Sequence, residues 1–530
     1  MNKKVLDLRL APPVLSAWLG ALLLPAIPLQ WIAVISALAL VLSVGFLIAV
    51  YKGRLATLGL VSALAVGALG GVGMSLTQSA RTLAADPLAR AWQGNIANIK
   101  VIAQVETPPR KYAPDSDQQI VQLKLQKAQI PGSAPVNTGL KIMAFGSGMP
   151  TYPRGTILQS AIKLEKSPSS ANLDITNNGG ISANSLFEIR GQLLSTPVVR
   201  AGPGGAAALK QKFATRLEEK LAAVKSPAAA TLLPAMILGI RADASADTEA
   251  LKTAGIVHIT CVSGMHISVL ISLVALLCAG FARRWRLLIC GTLLVGYCLL
   301  LGSSPSLLRA SVMGMVSILA LAAGREPCSF SSLAAAIIGL LIFNPAFGSD
   351  IGFLLSVSST AAIVLAVPYI EGKVQNLTTL WGSRFPRRSL KIIAGKYRDY
   401  LKKGFQSLLS VGLVSLVAQL ACLPGQLLIR PGINTLSVLA NVAIAPVVTL
   451  LIWGGAILVF LPLPGYLLAR ILAFGCEWVM VVARAISANR FAILPWPQGI
   501  PGLLALGALV AGIVFIWRCY FPKRGKRWQC

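Results

Sequence analysis

Both histidines of this 530-residue chain, His258 and His266, lie in one apolar segment on either side of the pair Ser263-Gly264. Imidazole titrates near neutral pH, and polar groups inside membrane helices usually face a bundle interior or a water-filled path. A Ser-Gly pair lets such a segment unwind or lets another helix approach closely. Two interpretations are open: hydrogen-bonded helix packing, or a polar and protonation-sensitive constriction of a channel. On a single helix the rings would point about 80° apart, so we predict no metal site.

Three other polar side chains interrupt apolar segments: Arg309, Gln419 and Asn441. Arg309 either extends to the nearer membrane interface or contacts phosphate through its paired donors. The two amides either hydrogen-bond between helices or line a polar path. Ser263 and His266 are close enough in sequence to touch, but no nucleophile elbow surrounds Ser263, and a hydrolase also needs an oriented base and an oxyanion hole. No Walker-type loop is present, so we predict neither an enzyme nor a cofactor.

The elements that position these residues are membrane helices. Hydrophobic residues make up 55% of the chain and charged residues 12%, which is about half the charged fraction of soluble proteins. Apolar runs long enough to cross a bilayer recur along the chain. The sequence predicts a polytopic α-helical membrane protein of about 12 spans, at residues 11–28, 30–50, 55–76, 255–281, 287–303, 305–324, 329–347, 350–370, 407–429, 433–461, 466–487 and 499–518.

Residues 77–205 have a different character and predict an inserted β domain. Alternation and turn clusters indicate five strands, at 98–107, 119–128, 139–146, 155–164 and 186–196. Five strands in such a length favour a small OB-like barrel. With 13 basic and 7 acidic residues this barrel can bind single strands, but it has few aromatic residues, so a structural or gating role is equally open. An amphipathic helix at 206–221 and a short re-entrant or interfacial apolar piece at 227–240 follow.

The net charge is +30, from 48 basic and 18 acidic residues. Basic cytoplasmic loops explain part of this excess, and nucleic acid, another polyanion or anionic lipid is an allowed partner. If the barrel lies outside the cytoplasm, the basic segments fall on the inner side, together with both termini. The predicted 371–404 loop holds nine basic and two acidic residues. Its candidate contacts to DNA or a partner are Arg384, Arg387, Arg388 and Lys391.

The segment 254–267 resembles the signature of the ComEC-type competence family, roughly Gly-x-x-His-Leu-x-x-x-Ser-Gly-x-His-Val. The resemblance covers about residues 1–520 in order, although Leu354 stands where the family has glutamine. It assigns a channel or signature role to His258, Ser263, Gly264, His266, Arg309, Asn344, Gly352, Phe353, Ser356, Gln419, Pro424, Asn441 and Pro446. The expected domains are 1–76 (membrane helices), 77–205 (extracytoplasmic barrel), 206–254 (interfacial helices), 255–520 (channel) and 521–530 (basic cytoplasmic tail).

The resemblance implies an inner-membrane channel that carries single-stranded DNA into the cytoplasm during natural transformation. The implied partners are single-stranded DNA, membrane lipids, a DNA receptor on the outer side, a cytoplasmic helicase or translocase, and a separate nuclease. Many family members carry a C-terminal metallo-β-lactamase-like domain, whose His-x-His-x-Asp-His cluster is missing here. Two alternatives stay open: a transporter or scaffold for another anionic polymer or lipid, and an inactive relative. The oligomeric state is left open as well.

Overall fold

The N-terminal third of the chain begins with three apolar helices. The computed structural model describes residues 9–52, 57–88, 98–111, 117–150, 152–165, 189–240, 245–302, 304–384, 394–460 and 465–520. Helix α1 spans Ala11–Leu23 and continues as a 3₁₀ turn at Leu24–Ala26. Helices α2 and α3 span Leu29–Tyr51 and Thr57–Ala85. These bounds agree with the first three predicted apolar segments, although α3 runs nine residues past the predicted end.

Small residues let α2 and α3 lie against each other. The Ser43 hydroxyl of α2 donates to the Ala63 carbonyl of α3 at 2.7 Å. A Cβ added to Gly73 would lie 2.0 Å from the Ser36 hydroxyl, so this helix pair needs glycine at that position. Close approach through small residues and interhelical hydrogen bonds is how helices associate where water does not drive burial.

A closed β-barrel follows α3. Its strands are β1 Ile99–Lys111, β2 Gln118–Gln129, β3 Val136–Asn137, β4 Lys141–Ser147, β5 Ile157–Glu165, β6 Ile189–Leu193 and β7 Val198–Ala201. The order β1-β2-β4-β6-β5 closes because β5 also pairs with β1. The β4–β6 pair is parallel and the other neighbours are antiparallel. Short β3 and β7 pair with β2 and β5.

The barrel fits the predicted OB-like domain in its number of strands and its closure. Alternate residues of β1 and β2, such as Val101, Ala103, Leu123 and Leu125, are buried in one apolar core, as the period of two requires. Residues 186–188 of the fifth predicted strand lie outside the described residues. The five predicted strands are otherwise found where the alternation of apolar residues predicts them.

The end of α3 is bonded directly to the barrel. The Asp86 carboxylate accepts hydrogen bonds from the Thr138 hydroxyl at 2.8 and 3.0 Å and from the Gly139 amide at 3.2 Å. It also accepts the Leu88 amide at 2.9 Å, and the Leu88 side chain enters the barrel core. One carboxylate thus joins the helix end to the turn between β3 and β4.

Three shorter helices connect the barrel to the remaining chain: α4 Gly205–Ala222, α5 Pro227–Leu238 and α6 Ala246–Thr253. Helix α4 confirms the predicted amphipathic helix, because it buries Ala214, Leu217 and Leu221 and exposes most of its charged residues. Helix α5 is buried over its whole second half, residues 232–238. Its second half is therefore enclosed by protein, and the re-entrant or interfacial placement of this segment stays a prediction.

The C-terminal half is almost entirely helical. Its helices are α7 Gly264–Leu277, α8 Arg283–Leu301, α9 Pro305–Ala322, α10 Ser329–Phe343, α11 Ile351–Arg384, α12 Ala394–Ile429, α13 Ser437–Phe460, α14 Tyr466–Ser487 and α15 Gly499–Tyr520. A two-residue ladder joins β8 Ile433–Asn434 to β9 Ile493–Leu494. Pro446 does not break α13. Much of the predicted 371–404 loop is helical, because α11 and α12 extend into it.

Nine helices in the described parts of the chain are long and apolar enough to cross a membrane, as expected for a multi-pass membrane protein. Three predicted spans are shorter apolar helices, at Ala11–Ala26, Gly264–Leu277 and Ser329–Phe343. The prediction of one helix over 255–281 was wrong, because a 3₁₀ turn and an extended residue precede α7. Hydropathy does not detect such a break, since the residues on both sides of it are apolar.

The chain divides into two compact units. The first contains residues 1–249, 258–353 and 447–479, and the second contains 250–257, 354–446 and 480–530. The barrel, the helices α1 to α5 and the helices α7 to α10 belong to the first unit. The contacts reported below each lie within one of the two units.

We expect Asp86→Ala to loosen the barrel, because three donors lose their hydrogen bonds to one carboxylate. A loss of about 2 kcal/mol would raise the population of the locally opened barrel roughly 30-fold. Limited proteolysis of the full chain measures this as faster cleavage between residues 98 and 204.

Glu106→Ala is the matched control. It removes another carboxylate from the same domain, but the Lys141 partner of Glu106 is 67% exposed, and exposed pairs contribute about 0–1 kcal/mol. Equal cleavage rates for the two variants would show that Asp86 does not anchor the barrel.

Candidate functional site

The site begins at a break in the backbone before α7. Residues Val257–Thr260 form a 3₁₀ turn, and Ser263 is the extended residue that precedes the helix, with φ −124° and ψ 178°. Nδ1 of His266 accepts the Ser263 amide at 3.2 Å and lies 3.0 Å from the Ser263 hydroxyl. This reciprocal arrangement is a capping box in which histidine takes the place of glutamate or glutamine. Ser263 and His266 therefore touch, as their spacing allows, and their contact caps a helix.

The capping box fixes the tautomer of His266. Because Nδ1 accepts a backbone N–H, the neutral ring carries its proton on Nε2. The side chain is 1% exposed, and Nε2 is buried with no acceptor in hydrogen-bonding geometry among the described residues. The Ile259 backbone lies near enough to the ring to interact with it as a hydrogen-bond partner, although Nε2 has no partner of good geometry. A buried donor with so weak a bond can still be used by a ligand.

Arg309 lies beside the same helix end. It belongs to the second turn of α9 and is 4% exposed. Its Nη2 would lie 3.6 Å from a Cβ added to Gly264, and its Nη1 lies 3.1 Å from the Met313 sulfur. Protein encloses the guanidinium, which favours the phosphate contact over extension to an interface among the two interpretations of Arg309. Glycine at position 264 leaves the guanidinium close to the helix backbone.

Together these groups can bind an anion. The first amides of α7 have no partner within their own helix, and the N-terminal end of a helix is positive. The guanidinium of Arg309 lies beside this end, and His266 contributes a buried N–H from the same first turn. A helix N-terminus with an arginine beside it is a recurrent phosphate site.

His258 differs from His266. Its side chain is exposed on the 3₁₀ turn, yet the rings are near enough to interact electrostatically. The predicted angle of about 80° between the rings assumed one continuous helix, and that assumption was wrong. Within the described residues, no group of three or more His, Cys, Asp or Glu side chains is placed to hold a metal ion.

Gln419 belongs to a separate amide network in the second unit. Its Oε1 accepts the Ser437 hydroxyl at 2.6 Å, and its Nε2 donates to the Asn434 carbonyl. The Asn434 side chain donates to the carbonyls of Lys252 and Thr253, both at 2.8 Å. These bonds fix the end of α6 and favour the interhelical interpretation of Gln419.

Gly255 completes this network. Its φ is +74°, and an added Cβ would lie 2.4 Å from the Ser437 Cβ. Sequence reasoning missed Asn434 and Ser437, which carry the network. The only signal for Asn434 is that it follows Gly432, a turn residue with φ +87°.

Asn441 is also used between helices. Its side-chain amide donates to the Ser415 hydroxyl of α12 at 2.9 Å, which again favours the interhelical interpretation. Pro424 and Pro446 lie inside α12 and α13.

The remaining signature residues form local structure around the start of α11. Asn344 caps the 3₁₀ turn Pro345–Gly348 by accepting the Ala346 amide at 3.2 Å. Phe353 is fully buried between the rings of Trp18 and Phe347, with centroids 5.4 and 5.6 Å away. The Phe353 amide donates to Asp350 at 2.6 Å. Gly352 lies beside the same carboxylate, since an added Cβ would be 3.0 Å from Oδ1.

Ser356 lies three residues further along α11. Its carbonyl accepts the hydroxyls of Ser359 and Thr360. Of the candidate basic contacts, Arg384 is the last residue of α11. Arg387, Arg388 and Lys391 lie outside the described residues.

The comparisons with known proteins point to one family. A family model described as "Competence protein" matches residues 236–520, which is more than half of the chain and includes every signature residue named above. The "ComE operon protein 3" of Bacillus subtilis (strain 168) is 25% identical over 205 residues, covering 38% of this chain and 22% of that relative. The aligned part therefore spans about a fifth of the relative's length. No solved structure matches the chain.

We expect Gly255→Ala to destabilise the protein by about 2–4 kcal/mol, because alanine disfavours the positive φ and its Cβ would clash with Ser437. The midpoint of thermal unfolding of the detergent-solubilised chain measures this loss. Gly280→Ala is the control, because no atom lies within 4 Å of an added Cβ there. Equal midpoints for the two variants would contradict the role assigned to Gly255.

Proposed function

The chain belongs to the competence protein family, and from this we propose that it forms the inner-membrane channel that carries single-stranded DNA into the cytoplasm during natural transformation. The apolar helices of a multi-pass membrane protein would enclose the path. The excess of 48 basic over 18 acidic residues suits a polyanion and favours its approach.

The observation that supports this proposal most is the set of donors at the start of α7. The guanidinium of Arg309 lies beside Gly264 at the helix N-terminus, and His266, with its buried Nε2, belongs to the same first turn. Hydrogen-bond donors of this kind match the oxygens of a phosphodiester. Bases carry the sequence information of DNA and phosphates do not, so a site that contacts phosphates passes any sequence.

The strength of the site suits transport. A path must bind its cargo well enough to admit it and weakly enough to release it. The capping box keeps His266 neutral while it uses Nδ1 as an acceptor, so the site combines one permanent cation with one neutral donor. One phosphate is therefore neutralised without being held by several buried charges.

The other parts of the chain have proposed roles around this site. We place the barrel outside the cytoplasm, where it receives or gates the strand from a DNA receptor. The basic residues around Arg384, Arg387, Arg388 and Lys391 face the cytoplasm and meet DNA or a helicase or translocase, and both termini lie on that side. A separate nuclease removes the other strand.

A deletion strain of the organism that carries this protein tests the proposal. Labelled DNA would reach the cytoplasm and integrate at a strongly reduced rate in cells that lack the chain. Normal uptake and integration would overturn the channel and favour a transporter or scaffold for another anionic polymer or lipid, or an inactive relative.

His266→Asn separates the two roles of the histidine. The Oδ1 of asparagine occupies nearly the same position as Nδ1 and keeps the cap, while the Nε2 donor is lost. We expect near-normal thermal stability but DNA uptake reduced about 10- to 100-fold, as for the loss of a hydrogen bond of about 1.5–3 kcal/mol to a charged group.

Ser268→Ala provides the control on the same helix. It removes an exposed hydroxyl whose only role is a hydrogen bond to the Gly264 carbonyl at 2.9 Å. If His266→Asn takes up DNA at the rate of Ser268→Ala, His266 serves packing alone and the strand does not pass its Nε2.

A further inference from the structure

A second group of cations lies where the barrel meets the helices. Arg154 belongs to the connection between β4 and β5, and the next residue, Gly155, has φ +88°. An added Cβ on Gly155 would lie 3.0 Å from the Cβ of Ala207, so this connection packs against the start of α4. Arg154 is held between the barrel and that helix.

The guanidinium of Arg154 reaches the end of α8. Gly302 has φ +100°, and a Cβ added there would lie 1.5 Å from Nη1 of Arg154. No other residue type leaves space for the guanidinium at this position. The backbone between α8 and α9 therefore accommodates a cation supplied by the barrel.

Lys210 is the second cation. It lies on α4 one turn after Ala207 and is only partly exposed. Burial lowers the pKa of Lys210 to about 8, and repulsion by the nearby Arg154 charge adds to the shift. Two like charges in a partly desolvated place oppose each other, and their proximity is unfavourable unless an anion joins them.

Among the residues that the structure describes, neither cation is neutralised by a partner. Within the described ranges, no carboxylate is ion-paired with Arg154 or Lys210, and no acceptor is hydrogen-bonded to either. Cations of this kind are normally paired when they are taken out of water. The pair is therefore incomplete without an anion.

The position of the pair relates it to the site described above. Gly302 precedes α9, which begins at Pro305, and Arg309 lies about 6 Å further along the helix axis at 1.5 Å per residue. The Arg154–Lys210 pair thus lies on the barrel side of Arg309, at the start of the same helix.

We propose that Arg154 and Lys210 form a phosphate-binding site for the strand, where it passes from the barrel to the Arg309 site. This inference rests on the proposed function and deepens it, because it names the residues that contact the strand between the barrel and the Arg309 site. A phosphate between the two cations would relieve their repulsion and is matched by the fork of Arg154 and the point charge of Lys210.

The test uses the full chain in nanodiscs of phosphatidylcholine and a fluorescent oligothymidylate of about 20 nucleotides, a length that exceeds the binding site of one OB fold. Anisotropy gives the affinity over a range of salt concentrations. For single strands, the slope of the logarithm of the affinity against the logarithm of the salt concentration falls by about 0.7 for each phosphate contact removed. One phosphate held by both cations counts as one contact, so replacing Arg154 and Lys210 by glutamine should reduce the slope by about 0.7 and weaken binding about 5-fold at about 0.1 M salt.

Lys212→Gln is the matched control. It removes the same charge from the same helix, two residues away, but the Lys212 side chain is exposed. We expect its salt slope to equal that of the unchanged chain. The double variant should also fold, because removing mutual repulsion does not destabilise the junction. If it does not fold, Lys210→Gln alone provides the same measurement with a smaller change in slope.

A pH series adds a readout that only Lys210 provides. From about pH 7 to about pH 9 an amine with a lowered pKa loses its proton, so strand binding to the unchanged chain should weaken over that range. In Lys210→Gln this decline should be absent. Arg154, the charged neighbour that perturbs Lys210, keeps its charge throughout.

Two outcomes would overturn the site. In one, the double variant keeps the affinity and slope of Lys212→Gln; the proposed function would then stand or fall on the deletion strain alone. In the other, the substitutions change only the binding of vesicles rich in phosphatidylglycerol, which would assign the cations to lipid headgroups. If the unchanged chain binds no strand even at low salt, the site and the proposed function fail together.

Discussion

The hydrogen bonds between Ser263 and His266 determine the rest of the site. A helix that begins inside an apolar segment exposes backbone amides that lipid cannot satisfy. The capping box satisfies two amides with the side chains at hand, and doing so fixes the ring orientation of His266 and leaves Nε2 as its only proton-bearing nitrogen. The same break brings Gly264 against Arg309. Without the cap, the free backbone amides at the interruption would cost free energy. Without the interruption, there would be no helix N-terminus with its partial positive charge at this place. The cap therefore allows the helix to be interrupted inside an apolar segment. The interruption in turn positions the groups that can bind an anion.

The signature residues divide into two kinds once their contacts are known. Gln419, Asn441, Asn344 and Phe353 hold helices and turns in place through hydrogen bonds or ring stacking. His266 and Arg309 instead bring buried N–H groups to the start of α7. Gly255 and Gly302 each lie where another group comes too close for a side chain. A motif that combines polar, aromatic and glycine residues thus describes a scaffold with a small binding site inside it.

The sequence predicts regular structure well and local breaks poorly. The five strands alternate apolar and polar residues, and that period of two locates them closely. Most apolar helices end where turn residues or charges begin. The break at 261–263 has no signal in hydropathy, because Cys261 and Val262 are as apolar as the residues of the helix, and only the Ser263-Gly264 pair indicates that the segment can unwind there. Whether Arg309 reaches an interface or is enclosed depends on Gly264 and on neighbours distant in sequence. Asn434 and Ser437 were missed for the same reason, since each acts through contacts that no local pattern encodes.

The cations become more deeply buried from the barrel toward α7. Arg154 and Lys210 are partly exposed at the junction, whereas Arg309 is 4% exposed. Electrostatic attraction strengthens as water is excluded, and the cost of removing an anion from water rises with it. A strand that first meets partly hydrated cations can lose its water in stages, with each phosphate partly neutralised before the next step. Because attraction and desolvation grow together, neither end of the series holds the strand tightly. A graded series of this kind favours movement of a polyanion, and a single deep cluster of charge would trap it.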